Sequence, residues 1–517
     1  MAKKNDMLCK TYCATCLGLT VVAITVETDI SAGIGIQLVG LPDSAVRESL
    51  TRVLTAIRSY GFRIPGKRII INLAPADIKK QGSSFDLSIA VTLICAITET
   101  EPVRLKTHLF LGELALDGSI RDVPGALPVA VYARDNGFEG CVFPYESAKE
   151  AVDIDGVRLY GVRSLADVLR ILKEEDDSDL FMQRQDDDGS AGQNAVSCPD
   201  FKVVKGQQHA KRGFEIAAAG SHNIILIGSP GCGKTLMASC LPSILPPMET
   251  EESIETSKIY SVAGKSIGSY GLLKTRPFRT PHNSASKVAL LGGGQDALPG
   301  EISLAHNGVL YLDEIAQFSK TTLDLLRQPL EDGKIVISRA RYRIEYPCSY
   351  MLVASMNPCP CGYYGDPSGR CHCTQSMVDS YKARLSGPLM DRIDMHIFVE
   401  RVPAGDLTAT ESAESSAAIA ERVRRARKIQ SERFRSEPGV FTNSRMNAEM
   451  MTRYCRIGSG EKEFLCKLIE KLCLSARAYS RILKLSRTIS ELAGEEEITL
   501  QSISEAVQYR NLDRLEG

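Results

Sequence analysis

The sequence predicts an α/β protein: a P-loop core on a parallel sheet, preceded by an α+β domain and followed by a helical lid. The first observation behind this is GSPGCGKT at 228–235, which follows the apolar run Ile224-Ile225-Leu226-Ile227 and precedes Leu236-Met237-Ala238-Ser239. Strand, glycine-rich turn and helix start in that order make a phosphate cradle. The second is a pair of apolar runs, Val309–Leu312 ending in Asp313-Glu314 and Met351–Ser355 leading to Asn357. Parallel strands present their ends at one edge, where nucleotide binds. The third is an amphipathic stretch from Leu465 to Leu483, with Leu468, Ile469, Leu472, Ala476 and Tyr479 along one stripe.

At 517 residues the chain is longer than one core sustains, so two or three domains are expected. Hydrophobic residues at 44% and charged residues at 24% place it among ordinary globular proteins and exclude disordered and fibrous classes. A formal net charge of −1 carries no global mark of nucleic-acid binding, so any basic surface is local. The sequence has no apolar run of about 18 residues, and MAKKNDMLCKTYC is not followed by a cleavable apolar segment. A cytoplasmic protein without membrane association is expected. Its sixteen cysteines then read as thiols and metal ligands, not as a disulfide frame.

Residues 1–172 read as one α+β domain. Strands are expected at 19–26, 35–39 and 68–73, with helices over 43–60, where Val46, Leu50, Val53, Leu54 and Ile57 share a face, and over 85–97. The segments KKQGSSFDLSIA (79–90) and GELALDGSIRDVPGAL (112–127) resemble the proteolytic domain of the Lon family, whose dyad is serine and lysine. On that resemblance Ser84 takes the nucleophile position, but the lysine position falls near Pro128 and no lysine stands between Lys106 and Lys149. A serine without a base is a poor nucleophile, so the domain reads as a structural or coupling module. Residues 173–200 are acidic and poor in apolar side chains, the composition of a flexible linker. Cys9, Cys13 and Cys16 lack a fourth partner nearby and stay unassigned.

The core is expected over 201–400. Gly228, Gly231 and Gly233 free the backbone so that N–H groups along Gly228-Ser229-Pro230-Gly231-Cys232-Gly233 turn toward phosphate oxygens. Lys234 is placed to reach the β- and γ-phosphates, and the Thr235 hydroxyl to ligate Mg²⁺. ATP and Mg²⁺ are therefore the expected cofactors. Asp313 is read as the second holder of Mg²⁺, Glu314 as the group that polarises the attacking water, and Asn357 as the side chain between loop and acids. Arg392, flanked by Asp391 and Asp394, reads as an arginine reaching a neighbouring subunit's site, with a surface ion pair as the bland alternative. In the lid, 401–517, Arg477 and Arg481 lie one turn apart and either suits a γ-phosphate contact.

Two further stretches carry chemistry. Gly333–Pro347 alternates as a hairpin does, so Arg339, Arg341 and Arg343 share one face near its tip, a grip suited to phosphates or to acids of a neighbour. The arginine-rich run 419–435 reads as a solvated helix face. In the loop 358–374, Cys359, Cys361, Cys371 and Cys373 form two close pairs that suit a tetrahedral thiolate site. Zinc is the favoured occupant, an iron–sulfur cluster the alternative, with His372 as a substitute ligand.

The motifs GQQHAKR (206–212), GSPGCGKT, FRTPHNSASKVALLGGG (278–294), PGEISLAHNGVLYLDE (299–314), ASMNPCPCG (354–362), SGPLMDRID (386–394) and SARAYSRILKLSRTI (475–489) resemble the ComM/YifB group of magnesium-chelatase-like AAA+ ATPases. That resemblance spans nearly the whole chain, the Lon-like domain included. It implies a homo-hexameric ring, Arg392 as the trans-acting arginine finger and Arg477 as the lid arginine. It further implies branch migration on branched or duplex DNA, alongside recombination proteins. A chelatase-type motor acting through a metal-inserting partner, and a protein-remodelling factor, are the alternatives. The chain departs from the group at His282-Asn283, where two histidines are usual, and at Cys232, where Ser or Thr is usual.

Overall fold

The computed structural model describes residues 8–184, 198–265, 270–294, 296–338, 343–366, 369–402, 413–437, 439–472 and 474–510. The middle of the expected linker, and Arg339 and Arg341, lie outside them.

The N-terminal part is a seven-stranded sheet in the spatial order Gly35–Val39, Arg68–Ala74, Thr20–Ser31, Cys9–Leu17, His108–Phe110, Gly140–Pro144, Arg158–Val162. Helix Ser44–Ser59 starts where the Asp43 carboxylate accepts the Val46 N–H at 2.9 Å, and it turns Val46, Val53, Ala56 and Ile57 inward. Helix Asp86–Thr98 is buried over most of its length. The strand Cys9–Leu17 has no counterpart in the sequence reading, and it explains the unassigned cysteines. Cys9 and Cys13 alternate into the core as small apolar side chains, and burial pushes the Cys13 thiol up to about 12.

The linker reading is corrected at its start. The Gly161 N–H donates to Leu180 O and the Met182 N–H to Leu159 O, so 180–182 joins the sheet beside Arg158–Val162. Leu180, Phe181 and Met182 supply the apolar surface, while Arg104 and Arg170 pair with Asp177 and Asp179. Five acids had masked three apolar residues.

The core sheet is all parallel, in the order Phe278–Arg279, Val309–Leu312, Met351–Met356, Ile224–Ile227, Met395–Phe398. Alternate residues of these buried strands point to opposite faces. Ile224, Leu226, Val353 and Ile397 pack with Val423, Ile482 and Ile503 of the helical part. Ile225, Ile227, Leu310 and Leu352 pack with Ile335, Ile337, Ile344 and Tyr346 of the hairpin Lys334–Ser338/Arg343–Pro347. Helix Ser416–Arg433 is not a solvated rod. Ile419, Val423 and Ala426 face the core, and Arg427 donates to the Ala218 carbonyl at 2.9 Å.

The two parts are docked. Helix Thr250–Val262 and the residues after it meet the N-terminal domain through Gly125 N–H to Ser261 O (3.1 Å), Leu272 N–H to Asp153 (2.8 Å) and the Tyr145–Tyr270 hydroxyl pair (2.7 Å). Leu272 itself lies in the N-terminal core.

Asp394 ties the lid to the sheet. Standing just before the strand Met395–Phe398, it accepts the N–H of Asn223, just before the strand Ile224–Ile227, at 2.9 Å and Arg481 of the lid helix at 2.7 Å. Burial pushes its carboxyl up, but Arg481, His222 and the Asn223 N–H outweigh that and hold it well below the usual carboxylate range. The stability it contributes is therefore complete above about pH 4 and is lost as pH falls below it. Asp394→Ala strands Arg481 and is expected to destabilise the lid by about 3–5 kcal/mol. Hydrogen exchange of the helix Ala476–Ala493 reads this directly, with faster exchange in the variant at neutral pH.

Candidate functional site

The phosphate loop leaves the strand Ile224–Ile227 at Gly228, where a Cβ would lie 2.3 Å from the Val399 carbonyl oxygen. Gly231 and Gly233 take φ of +77° and +93°, which only glycine adopts without strain. Lys234 is buried in the mouth of the loop. Its ammonium donates to Gly228 O at 2.6 Å, Ser229 O at 3.1 Å and Asn357 Oδ1 at 3.1 Å. All three acceptors are neutral. Phosphate oxygens, being charged, make stronger partners for the same cation.

Asn357 meets Lys234 because the strand Met351–Met356 lies between the loop strand and Val309–Leu312. On the far side, Thr235 Oγ1 donates to Asp313 Oδ2 at 3.1 Å. Tyr311 donates to Asp313 Oδ1 at 2.9 Å, and Ser355 and the Glu314 N–H bond the same oxygen. Burial pushes the Asp313 carboxyl up, but the bonds from Ser355, Tyr311 and Thr235 bring it below the usual value. A hydroxyl and an ionised carboxylate side by side fit a hard divalent cation. Glu314 is exposed and sits at φ +49°, a left-handed conformation held by its N–H on Ser355 Oγ at 3.1 Å.

Tyr311 and Ser355 were missed by the sequence reading. Each stands two residues before a predicted site residue, on the same face of its strand, and that period was the available signal.

The arginines lie elsewhere. Met395–Phe398 pairs in register with Ile224–Ile227, Met395 beside Ile224 and Phe398 beside Ile227. Arg392 therefore stands before the amino ends of these strands, whereas the phosphate loop follows their carboxyl ends. Four strand residues span about 13 Å. Arg392 donates to Pro388 O at 2.6 Å and pairs with Glu331, while its buried Nε has no partner among the described residues. Arg477 pairs with Asp391 at 2.7 Å, one residue from Arg392, and Arg481 with Asp394. All three line one open cleft of about 720 Å³ with Arg445 and Lys484. Five cations face Glu331, Asp391 and Asp394 there, and burial pushes Arg481 and Lys484 below their usual values. Positive charge exceeds negative charge in the cleft.

Arg343 is exposed at the described end of the hairpin, whose base is buried through Ile335, Ile337, Ile344 and Tyr346. The sulfurs of Cys359, Cys361, Cys371 and Cys373 lie within 4.8 Å of one another. Among the described residues no helix is long and apolar enough to cross a membrane.

Comparison with known proteins adds the relatives. Residues 200–407 match the family described as magnesium chelatase, subunit ChlI; residues 26–147 match subunit ChlI of Mg-chelatase, and residues 413–510 its C-terminal part. The chain is 41% identical over 508 residues to competence protein ComM of Haemophilus influenzae, covering 98% of this chain and 97% of that one. It is 40% identical over 502 residues to YifB of Escherichia coli K12, covering 96% of each. It is also 28% identical over 127 residues to Lon protease 2 of Bacillus subtilis, covering 24% of this chain and 22% of that one.

Lys234→Ala removes the cation around which the loop is folded. A loss of about 2 kcal/mol, roughly thirtyfold in Kd for an adenine nucleotide, is expected. Titration with a fluorescent ATP analogue measures it, and an unchanged Kd would contradict the site.

Proposed function

The chain belongs to the ComM/YifB-type, magnesium-chelatase-like family, and from that premise we propose that it is a cytoplasmic hexameric AAA+ ATPase that moves branched or duplex DNA in homologous recombination. The observation that carries this reading is the separation of loop and arginines. A chain whose Arg392 and Arg477 stand at the amino edge of the sheet cannot bring them to the phosphate loop at its carboxyl edge. A second copy can, and a closed ring gives every loop a neighbour's cleft.

In this reading Lys234 and the loop N–H groups bind the triphosphate, while Thr235 and Asp313 hold Mg²⁺, which supplies charge to the phosphates when bound. Glu314 orients and polarises the attacking water. Asn357 fixes Lys234 on one side and faces the γ-phosphate on the other. Arg392 and Arg477 of the adjacent chain add positive charge where negative charge develops on the transferring phosphoryl group and its leaving oxygen. Arg481 is a positioning residue, since Asp394 already occupies it.

The hairpin supplies the grip. Its apolar base seats it on the core sheet, and Glu331, the partner of Arg392, lies just before its first strand. A shift at the arginine cleft is thereby passed to Arg339, Arg341 and Arg343, whose charge suits the DNA backbone without reading sequence. The name of the Haemophilus relative, a competence protein, supports a role in handling incoming DNA alongside recombination proteins. The match of 200–407 to a magnesium chelatase subunit favours a second reading, a chelatase-type motor that needs a metal-inserting partner. The N-terminal Lon-like domain serves as a docking module. Pro128 stands within the helix Ala126–Asp135 and offers no base to Ser84.

Hydrolysis measured with single-stranded, duplex and forked DNA is expected to rise with forked or duplex DNA, and the rise to be lost in Arg339→Ala/Arg341→Ala. Absence of DNA binding at low salt would remove the DNA reading. Tyr311→Phe deletes a donor that stabilises the Asp313 carboxylate, so its carboxyl titrates higher and the acid limb of the pH–rate profile moves to higher pH.

A further inference from the structure

We propose that Cys359, Cys361, Cys371 and Cys373 hold a single zinc ion, and that this ion, by fixing its loop, sets the affinity of the phosphate loop for nucleotide. The inference rests on residues 228–235 binding a nucleoside triphosphate.

Sulfur spacing argues for one ion. Cys359 Sγ lies 3.2 Å from Cys361 Sγ and 3.9 Å from Cys371 Sγ, and the latter two are 3.6 Å apart. Zn–S bonds of about 2.3 Å in a tetrahedron put sulfurs about 3.8 Å apart. A cluster of several irons would spread its thiolates more widely. The loop also needs a staple, for among its described residues between 358 and 374 only Cys359 and Gly362 are buried. It has no apolar core of its own.

The contacts with the phosphate loop interleave with the ligands. Asn357, two residues before Cys359, accepts from Lys234. Gly362, directly after Cys361, presses its backbone on the loop: a Cβ there would lie 2.6 Å from Pro230 Cδ, and its φ is +86°. Asp366 accepts the Ser229 hydroxyl at 3.3 Å. Metal binding that fixes Cys359 and Cys361 therefore fixes the roof of the phosphate loop. Linkage makes the effect reciprocal, so bound nucleotide must tighten the ion.

The test uses the full chain as purified. Elemental analysis is expected to find one zinc per chain and no stoichiometric iron. Stripping zinc with a chelator should weaken binding of a fluorescent ATP analogue on the order of tenfold, restored by added zinc, and ATP should slow zinc release by a similar factor. Gly362→Ala should keep its zinc yet bind nucleotide more weakly, which separates the contact from any folding defect of cysteine variants. Iron in place of zinc, no metal, or zinc whose removal leaves affinity unchanged would overturn the proposal. Zinc-replete Lys234→Ala that binds nucleotide like the parent would instead remove the phosphate-loop reading.

Discussion

Asp394 accepts hydrogen bonds from the Asn223 N–H and from Arg481, while Arg510 holds its backbone carbonyl at 3.3 Å, so one buried carboxylate joins two core strands and the lid helix in a single corner. A buried carboxylate persists as a charge only where such partners surround it. Here they come from two segments remote in sequence, 222–223 and the lid helix. The helix Ala476–Ala493 is thus anchored at the amino edge of the sheet, and Arg477 goes with it to the side of Arg392. The same parallel direction that gathers Lys234, Thr235, Asp313 and Asn357 at the carboxyl edge places these arginines at the opposite one.

That division accounts for the electrostatics of both edges. At the carboxyl edge Lys234 makes do with carbonyl and amide oxygens, and Asp313 is kept ionised by hydroxyl donors. At the amino edge five cations crowd a cleft with three acids, and the buried Nε of Arg392 has no partner among the described residues. One edge is arranged for phosphates and a cation, the other is short of an anion. In the proposed ring, two copies in contact would satisfy both.

Local patterns made much of this legible in the sequence. The phosphate loop, the acid pair and Asn357 each sit at the end of an apolar run, and the helix after Asp43 showed in the spacing of Val46, Leu50, Val53, Leu54 and Ile57. The hairpin followed from its period of two. What stayed hidden were pairings between distant segments: Tyr311 and Ser355 on Asp313, Asp366 on Ser229, Asp394 on Arg481, and Leu180–Met182 on the sheet edge. No periodicity encodes which buried donor a carboxylate will meet. The strand Cys9–Leu17 was missed because cysteine and threonine served as its inward-facing residues, where larger apolar side chains are the usual signal.

The central claim is that each nucleotide site is built from two chains. Mixing Lys234→Ala with Arg392→Ala chains tests it most directly. Each variant alone is predicted to be inactive, and mixed assemblies to recover part of the ATP hydrolysis, because some interfaces then join an intact loop to an intact arginine. Mixed assemblies that form yet remain inactive would contradict the shared site.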